Sequence, residues 1–243
     1  MSGHSHWASI KHKKQLEDQK RGKIFSKISR MISVAAREGA DPEMNPKLRQ
    51  ALEEARSFNM PKEKIERAIK RGTGELEGVK LEEISFEGLG PGGVAIIIEG
   101  ITDNKNRTIS ELRQILQKHG GKLAAEGSVK WLFERKGVIT INPKDQTSLT
   151  KEELELKAIE AGAEDIYWHE TEDLLDICTK PEDLDKVRKK LESQGLKVDS
   201  ATLDWVAKDP VEIEEKDREN LKKLFEELDE NEAVQNICSN LKV

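Results

Sequence analysis

The apolar residues of this 243-residue chain follow two different periods. Between residues 23 and 72 they recur every three or four positions, as in Ile24, Ile28 and Ile32, which is the spacing of a helix with one buried face. Glycines and prolines at suitable cap positions divide this stretch into three helices. The pattern predicts a three-helix domain with its linker over residues 23–78, preceded by a polar arm over residues 1–22 that lacks a sustained period.

From residue 80 onward the apolar period changes to two, which is typical of strands. Residues 79–136 show the pattern of two strands, a helix and a further strand at 128–134, a set too small to complete a sheet. Residues 137–206 then alternate strand, helix, strand, strand, helix and strand, the order of a ferredoxin-like domain. A helix and an apolar run in residues 207–243 supply the missing elements. The expected fold is therefore α+β with three domains: an N-terminal three-helix domain and two α+β domains, of which the ferredoxin-like one is inserted into the other.

The formal charge of −6 conceals an asymmetry along the chain. Residues 1–74 hold 17 lysines and arginines against 9 acids, so the negative excess lies entirely in the remainder. A basic end on an acidic body is expected of a protein that meets a polyanion at one end. Because no apolar run is long enough to cross a bilayer and the N-terminus lacks the apolar segment of a secretion signal, we expect a cytoplasmic protein without a membrane partner. Cys178 and Cys238 lack metal-ligand spacing and are expected to be buried thiols.

Positive charge is concentrated in the arm and on one side of the first predicted helix. Residues 19–37 contain no acid, and five of their cations cluster within an arc of about 80° to 100° beside the apolar face: Lys20, Lys23, Lys27, Arg30 and Arg37. Such a stripe suits phosphates, and the single aromatic residue of the arm is suited to stack on an unpaired base. A solvated, lysine-rich surface is the alternative interpretation. With two cations from a later loop, the predicted nucleic-acid-binding residues are Trp7, Lys11, His12, Lys13, Lys14, Lys20, Arg21, Lys23, Lys27, Arg30, Arg37, Lys105 and Arg107.

Two loops of the middle domain are open to more than one interpretation. Residues 88–93 (GLGPGG) lack the lysine of a phosphate-binding loop and precede a strand, so they predict a wide turn, with a backbone docking surface as the alternative. Residues 102–108 (TDNKNRT) lie between a strand and a helix. Helix capping explains their Asp, Asn and Thr residues but not Lys105 and Arg107, so anion binding and simple capping both stay open.

The sequence offers little support for catalysis, a metal or a cofactor. His4, His6 and His12 are a minimal set of imidazoles for zinc or copper, but no cysteine or carboxylate lies within ten residues of His4 or His6. No nucleophile motif or paired carboxylate stands out, and the three tryptophans beyond residue 130 are expected in the core. We therefore expect a non-enzymatic protein without a metal, a cofactor or a small-molecule substrate.

Five segments carry a resemblance to a known family. In chain order they are GHSHWASIKHKK, KRGKIFSKI, NMPKEKIERAIKRGTGE, GPGGVAIIIEGITDNKNRT and GSVKWLFERKG. Together they resemble the YebC family, whose members include bacterial proteins labelled probable transcriptional regulators and the mitochondrial translational activator of cytochrome c oxidase. The resemblance spans essentially the whole chain and implies a helical N-terminal domain followed by two α+β domains.

The resemblance also implies a regulator of gene expression. The basic residues of the first predicted helix indicate how such a regulator would contact nucleic acid. A stripe of lysine and arginine suits phosphates better than base edges, which favours sequence-tolerant contact. A DNA-binding transcriptional regulator and a ribosome-associated translation factor that binds rRNA both fit this pattern, and a protein-binding adaptor is the alternative from another class. Residues 137–206, with a net charge of −8, are expected to orient the molecule or meet protein.

Overall fold

The computed structural model of the protein describes residues 18–146, 149–169 and 174–242, with side chains from residue 21 onward. These residues form seven α-helices and two four-stranded antiparallel sheets. The helices are α1 (Asp18–Ala35), α2 (Pro46–Ser57), α3 (Lys62–Gly72), α4 (Lys105–Lys118), α5 (Lys151–Ala161), α6 (Leu184–Ser193) and α7 (Glu215–Asp229). The strands are β1 (Glu82–Leu89), β2 (Ala95–Thr102), β3 (Lys122–Leu123), β4 (Phe133–Ile141), β5 (Asp165–His169), β6 (Leu174–Thr179), β7 (Ser200–Ala207) and β8 (Val234–Ser239).

The helical domain forms because α1, α2 and α3 each bury one apolar face in a shared core. Asn45 links two of these helices. Its side chain accepts a hydrogen bond from the backbone N–H of Leu48 at 3.0 Å and donates one to the carbonyl oxygen of Ala35 at 2.7 Å, so the start of α2 is tied to the end of α1. Helices α1 and α3 approach closely at Gly72, where a Cβ atom would lie 2.4 Å from the carbonyl oxygen of Ser33.

The middle domain is built from two distant parts of the chain. Its sheet has the order β3-β1-β2-β8, and β8 comes from the C-terminal segment. Helices α4 and α7 pack on one face of this sheet, where Leu112 and Leu224 join Ile96 and Ile98 in one core. The domain is therefore completed only when residues beyond the inserted domain return to pair with β2.

The glycine-rich segment at residues 88–93 includes the turn between β1 and β2. Gly92 and Gly93 have φ angles of 65° and 76°, which favour glycine. A Cβ atom on Gly92 would also lie 2.7 Å from Cγ2 of Ile213, so the turn fits against the segment that leads into α7. The positive φ angles of Gly92 and Gly93 and the close packing at Gly92 explain why glycine occupies these positions.

The inserted domain has the ferredoxin-like topology, which confirms the predicted fold class. Its chain order is β4-α5-β5-β6-α6-β7 and its sheet order is β5-β6-β4-β7. Helices α5 and α6 cover one face, where Ile139 of β4 shares a core with Ala158 and Leu191. The chain enters at Phe133 and leaves at Ala207, and these two residues are direct partners in the β4–β7 ladder. Adjacent ends allow the domain to be inserted without separating the two parts of its host.

The two sheets meet at a joint with a small core of its own. The members of this core are Ala95, Ile97, Val129, Phe133, Ala207 and Cys238. Two hydrogen bonds beside this core also link the two sheets. Arg135 donates to the carboxylate of Glu99 at 3.0 Å, and the Cys238 thiol donates to Asp204 Oδ1 at 2.8 Å. Beside the joint, the helix-free faces of both sheets border a cavity of about 570 Å³ whose third side is formed by α1 and α2.

Three elements differ from the expectation. Helix α1 begins at Asp18 and so extends into the predicted arm. The predicted strand at 128–134 is instead a 3₁₀ turn at Lys130–Leu132 followed by β4, which continues past Gly137 without a break. In the sequence, Gly137 looks like the end of a strand. In the structure it lies inside β4, where glycine is required because a Cβ atom would lie 2.4 Å from Thr179 Oγ1. Strand β3 has two residues, too few to show a period.

Candidate nucleic-acid interface

Several predicted site residues lie outside what the structure describes. Only the backbone of Lys20 is described, in the first turn of α1. The three histidines considered as metal ligands belong to the same undescribed segment as the arm residues. Those arm residues are Trp7, Lys11, His12, Lys13 and Lys14.

The structure corrects the prediction for Lys27. This residue is only 2% exposed, and its ammonium group donates to the carbonyl oxygen of Asp229 at 2.5 Å and to Asp229 Oδ1 at 2.8 Å. Burial lowers the pKa of Lys27 below its ordinary value, and the carboxylate of Asp229 opposes that shift. Lys27 therefore joins the helical domain to the end of α7 and is not presented on an exposed stripe.

Two further residues of the predicted stripe contribute to the same contact. Lys23 forms an ion pair with Glu230 at 3.2 Å. Arg30 pairs with Glu232 at 3.1 Å and donates to the carbonyl oxygen of Ile101 at 3.0 Å. We call the contact made by Lys23, Lys27 and Arg30 with the region of α7 and β8 the interdomain seam. Replacing this basic row by alanine would disrupt the seam, so such a variant does not isolate a nucleic-acid contact.

The remaining predicted cations belong to different elements. Arg37 is exposed and donates to the carbonyl oxygen of Leu81 at 2.7 Å. Arg107 forms ion pairs with Asp103 and Glu111 around the first turn of α4, while Lys105 in the same turn is exposed. Arg21 is exposed near the start of α1.

A groove between α1 and α3 brings together a set of cations that are not among the predicted site residues. Its volume is about 270 Å³. Both walls use positions i, i+3, i+4 and i+7, so each wall is a single helix face. The lining residues of this α1–α3 groove are Gly22, Phe25, Ser26 and Ser29 from α1 and Lys64, Arg67, Ala68 and Arg71 from α3.

The cations of the α1–α3 groove differ electrostatically from those of the interdomain seam. Lys64, Arg67 and Arg71 are exposed, and none of them forms an ion pair with any residue in the described part of the chain. The Lys64 ammonium lies 4.9 Å from the ring centroid of Phe25, a cation–π contact that orients it on the groove wall. Guanidinium groups beside serine side chains suit the oxygens of a phosphate.

A sequence signal for this groove existed on α3. Lys64, Arg67 and Arg71 recur at intervals of three and four beside Ala68, the residue that α3 buries. The signal is weaker than that of α1, because Glu63 and Glu66 interrupt it. Only the packing of α3 on α1 shows that the three cations border the same space.

The cavity between the sheets has the opposite electrostatic character. Although Lys47 and Arg135 also line it, the carboxylates outnumber them, and the buried Asp176 and Asp204 belong to the inserted domain. The helix-free face of the inserted sheet thus points toward the other domains. This placement disfavours a phosphate backbone on that face. The carboxylates that line the cavity are Glu54, Glu83, Glu99, Asp176 and Asp204.

The three later tryptophans differ in exposure. The expectation that all three later tryptophans are core residues is wrong: Trp131 is 66% exposed, while Trp168 and Trp205 are partly buried. His119 is the C-cap residue of α4, and its Nε2 lies 2.7 Å from a carboxylate oxygen of Glu227 on α7. No group of residues suited to hold a metal ion occurs in the described part of the chain.

A helical domain with a basic groove, followed by two interlocked α+β domains, defines the class of this protein. The sequence profile of the TACO1/YebC protein N-terminal domain matches residues 5–75, and that of the TACO1/YebC second and third domain matches residues 81–241. The chain belongs to the TACO1/YebC family. Among the residues that the structure describes, no helix has the length and apolar character needed to span a membrane.

Relatives and a solved structure match over nearly their full lengths. A protein of Halothermothrix orenii named a probable transcriptional regulatory protein is 51% identical over 246 residues, which cover 100% of this chain and 96% of the relative. A Thermotoga maritima protein of the same name is 51% identical over 244 residues, covering 100% and 94%. The crystal structure of a conserved hypothetical protein from Aquifex aeolicus has a TM-score of 0.88 at 48% identity, covering 98% of this chain and 97% of that one.

Proposed function

We propose that the protein is a cytoplasmic, non-enzymatic regulator of gene expression that binds nucleic acid through its helical domain. The observation that carries the proposal is the α1–α3 groove, where Lys64, Arg67 and Arg71 are exposed without carboxylate partners among the described residues. An unpaired cation is available to a phosphate, whereas one already in an ion pair must first give up its partner. The names of the relatives support a role in regulation.

The uneven distribution of charge over the molecule supports contact with nucleic acid at the helical domain. Carboxylates line the cavity between the sheets, and residues 137–206 carry a net charge of −8. A polyanion is therefore attracted to the helical domain and repelled by the inserted domain. In this proposal the inserted domain orients the molecule or contacts protein.

The lining of the α1–α3 groove favours backbone contact. It contains Lys, Arg and Ser side chains, which suit phosphate oxygens, and no Asn or Gln, so among the bidentate base contacts it offers those of Lys and Arg to guanine but not those to adenine. Such a lining suits sequence-tolerant binding, so a ribosome-associated factor that binds rRNA is a second candidate beside a DNA-binding transcriptional regulator.

Charge reversal in the groove tests the proposal. Binding of a fluorescent 20-base-pair DNA and of an rRNA hairpin is measured by anisotropy across a salt series for the parent and for R67E/R71E. We expect the variant to bind at least about 10-fold more weakly, with the log–log salt slope smaller by about 2, since each lost phosphate contact removes about 1. The matched control is K222E/K223E, which makes the same charge change on exposed residues of α7. Equal binding by both variants and the parent would refute the groove assignment.

A second measurement separates the two candidates. The purified protein is sedimented with ribosomes, and its affinity for promoter DNA is compared with that for scrambled DNA. Direct base readout is expected to give a preference of about 10³ or more, whereas phosphate contact gives none. A strong promoter preference without ribosome association establishes a transcriptional regulator. Ribosome association that R67E/R71E abolishes, without promoter preference, establishes the rRNA-binding factor.

A further inference from the structure

Trp131 is an exposed indole between two buried anchors. Its side chain is 66% exposed, whereas Val129 and Phe133 are each 3% exposed and belong to the core of the joint between the sheets. An indole carries a large apolar surface that normally favours burial. The chain therefore holds this ring outward while fixing the backbone on both sides of it.

The turn that presents Trp131 is organised by a buried carboxylate. Glu87 of β1 is 5% exposed and accepts hydrogen bonds from the backbone N–H groups of Gly127 at 2.6 Å, Val129 at 2.6 Å and Lys130 at 2.9 Å. The indole N–H of Trp131 donates to the carbonyl oxygen of Ser128 at 3.0 Å. The polar edge of the ring is thus satisfied within the turn, and its apolar surface is what remains for a partner.

Two lysines place positive charge at the turn that presents Trp131. The Lys208 ammonium donates to the carbonyl oxygen of Trp131 at 3.0 Å, and Lys130 is the preceding residue. The Lys130 ammonium also lies 4.8 Å from the ring centroid of Trp205. Glu126, an exposed acid in the same loop, offsets part of this charge. An exposed aromatic ring beside cations is the combination that binds unpaired bases, with the ring stacking on the base and the cations near its phosphates.

We propose that Trp131, with Lys130 and Lys208, forms a stacking site for an unpaired nucleobase. This inference rests on the proposed function and narrows its target to nucleic acid that has unpaired segments. The site and the helical domain meet β2 at opposite ends. The core beside Trp131 contains Ala95 and Ile97 at the start of β2, whereas Arg30 of the helical domain contacts Ile101 near its end. The site is therefore separate from the α1–α3 groove, which belongs to the helical domain. Loss of the two sites is therefore expected to affect binding independently.

The test compares single-stranded and duplex ligands. Binding of a fluorescent 15-nucleotide oligo(U) and of a 15-base-pair duplex is measured for the parent, W131A, W131F and R67E/R71E, with L156A as a control that truncates another exposed apolar residue. We expect W131A to bind oligo(U) about 5-fold to 150-fold more weakly while its duplex affinity changes less than about 2-fold. W131F retains an aromatic face and is expected to recover most of the loss. Unchanged melting temperatures will show that the variants are folded.

The outcomes distinguish this inference from the proposed function. If R67E/R71E weakens both ligands but W131A binds oligo(U) like the parent, the stacking site is refuted and the groove stands. If W131A loses oligo(U) binding while R67E/R71E keeps both ligands, the groove is refuted and the stacking site stands. A parent protein that binds neither ligand at low salt would overturn both. Loss of a protein contact in W131A with unchanged oligo(U) binding would assign Trp131 to a protein interface instead.

Discussion

The ammonium group of Lys27 lies 2.8 Å from the carboxylate of Asp229, although 202 residues separate the two in the chain. The lysine side chain is 3% exposed and the aspartate side chain 21% exposed, so the pair is largely removed from water. It fixes the helical domain against the C-terminal part of the middle domain. A cation that the sequence assigns to phosphate contact thus holds two domains together.

Replacing Lys27 by methionine is expected to destabilise the protein by about 2 kcal/mol. The reason is that Asp229 would keep its charge in a partly buried place without its partner. Urea unfolding measures the effect. Lys23→Met is the control, because that residue and Glu230 are 44% and 63% exposed and such pairs contribute about 1 kcal/mol or less. Equal losses in the two variants would contradict a special role for the buried pair.

Glu87→Gln is expected to destabilise the protein by about 2 to 3 kcal/mol at neutral pH. The carboxylate accepts three backbone N–H groups, and an amide presents only one oxygen to them. Parent and variant are compared by urea unfolding, with Glu126→Gln in the exposed part of the same loop as the control.

The gap between parent and Glu87→Gln is expected to depend on pH. Burial opposes ionisation of Glu87, but the hydrogen bonds from Val129, Gly127 and Lys130 outweigh it and hold the pKa below the ordinary value of 4.5. A depressed folded-state pKa gives stability that is full above the unfolded value and is lost as pH falls through the folded value. The gap should therefore be largest near neutral pH and shrink in acid below the ordinary pKa. A gap that stays constant from neutral pH into acid would refute this account of the turn.

Two glycines of the helical domain should respond oppositely to alanine. A Cβ atom on Gly22, inside α1, would meet no described atom within 4 Å, so Gly22→Ala should raise stability by about 0.5 to 1 kcal/mol through helix propensity. A Cβ atom on Gly72 would lie 2.4 Å from the Ser33 carbonyl oxygen, so Gly72→Ala should cost about 1 to 3 kcal/mol by forcing α1 and α3 apart. Thermal unfolding measures both, and changes of the same sign would be inconsistent with this packing.

The two cysteines should be unreactive in the folded protein. Cys178 and Cys238 are both fully buried, and burial raises the pKa of each thiol, with Asp176 reinforcing the shift for Cys178 and Asp204 for Cys238. Ellman's reagent at about pH 8 is expected to release no thionitrobenzoate from the native protein and two equivalents in urea. Rapid release in native buffer would contradict the burial of at least one thiol.

The sequence by itself determined most of the elements and their order. Apolar spacing of three and four, cap residues such as Asn45 and the strand–helix order of residues 137–206 depend on neighbours in the chain, so they can be predicted locally. The charge asymmetry likewise follows from the positions of the charged residues in the sequence. The continuation of β4 through Gly137 could not be predicted, because the reason for that glycine is Thr179 on another strand.

Only the tertiary structure decided which cations are available. An arc of lysine and arginine on α1 has the same period whether it faces water or another domain, and the packing of α1 on the end of α7 is what buries Lys27. The packing of α3 on α1 likewise brings Arg67 and Arg71 to one groove. Trp131 shows the same limit for apolar residues, since the turn that holds it at the surface is fixed by hydrogen bonds to Glu87, a residue of β1 more than 40 positions earlier in the chain. Contacts between residues far apart in the chain set these outcomes, and periodicity along the chain carries no information about them.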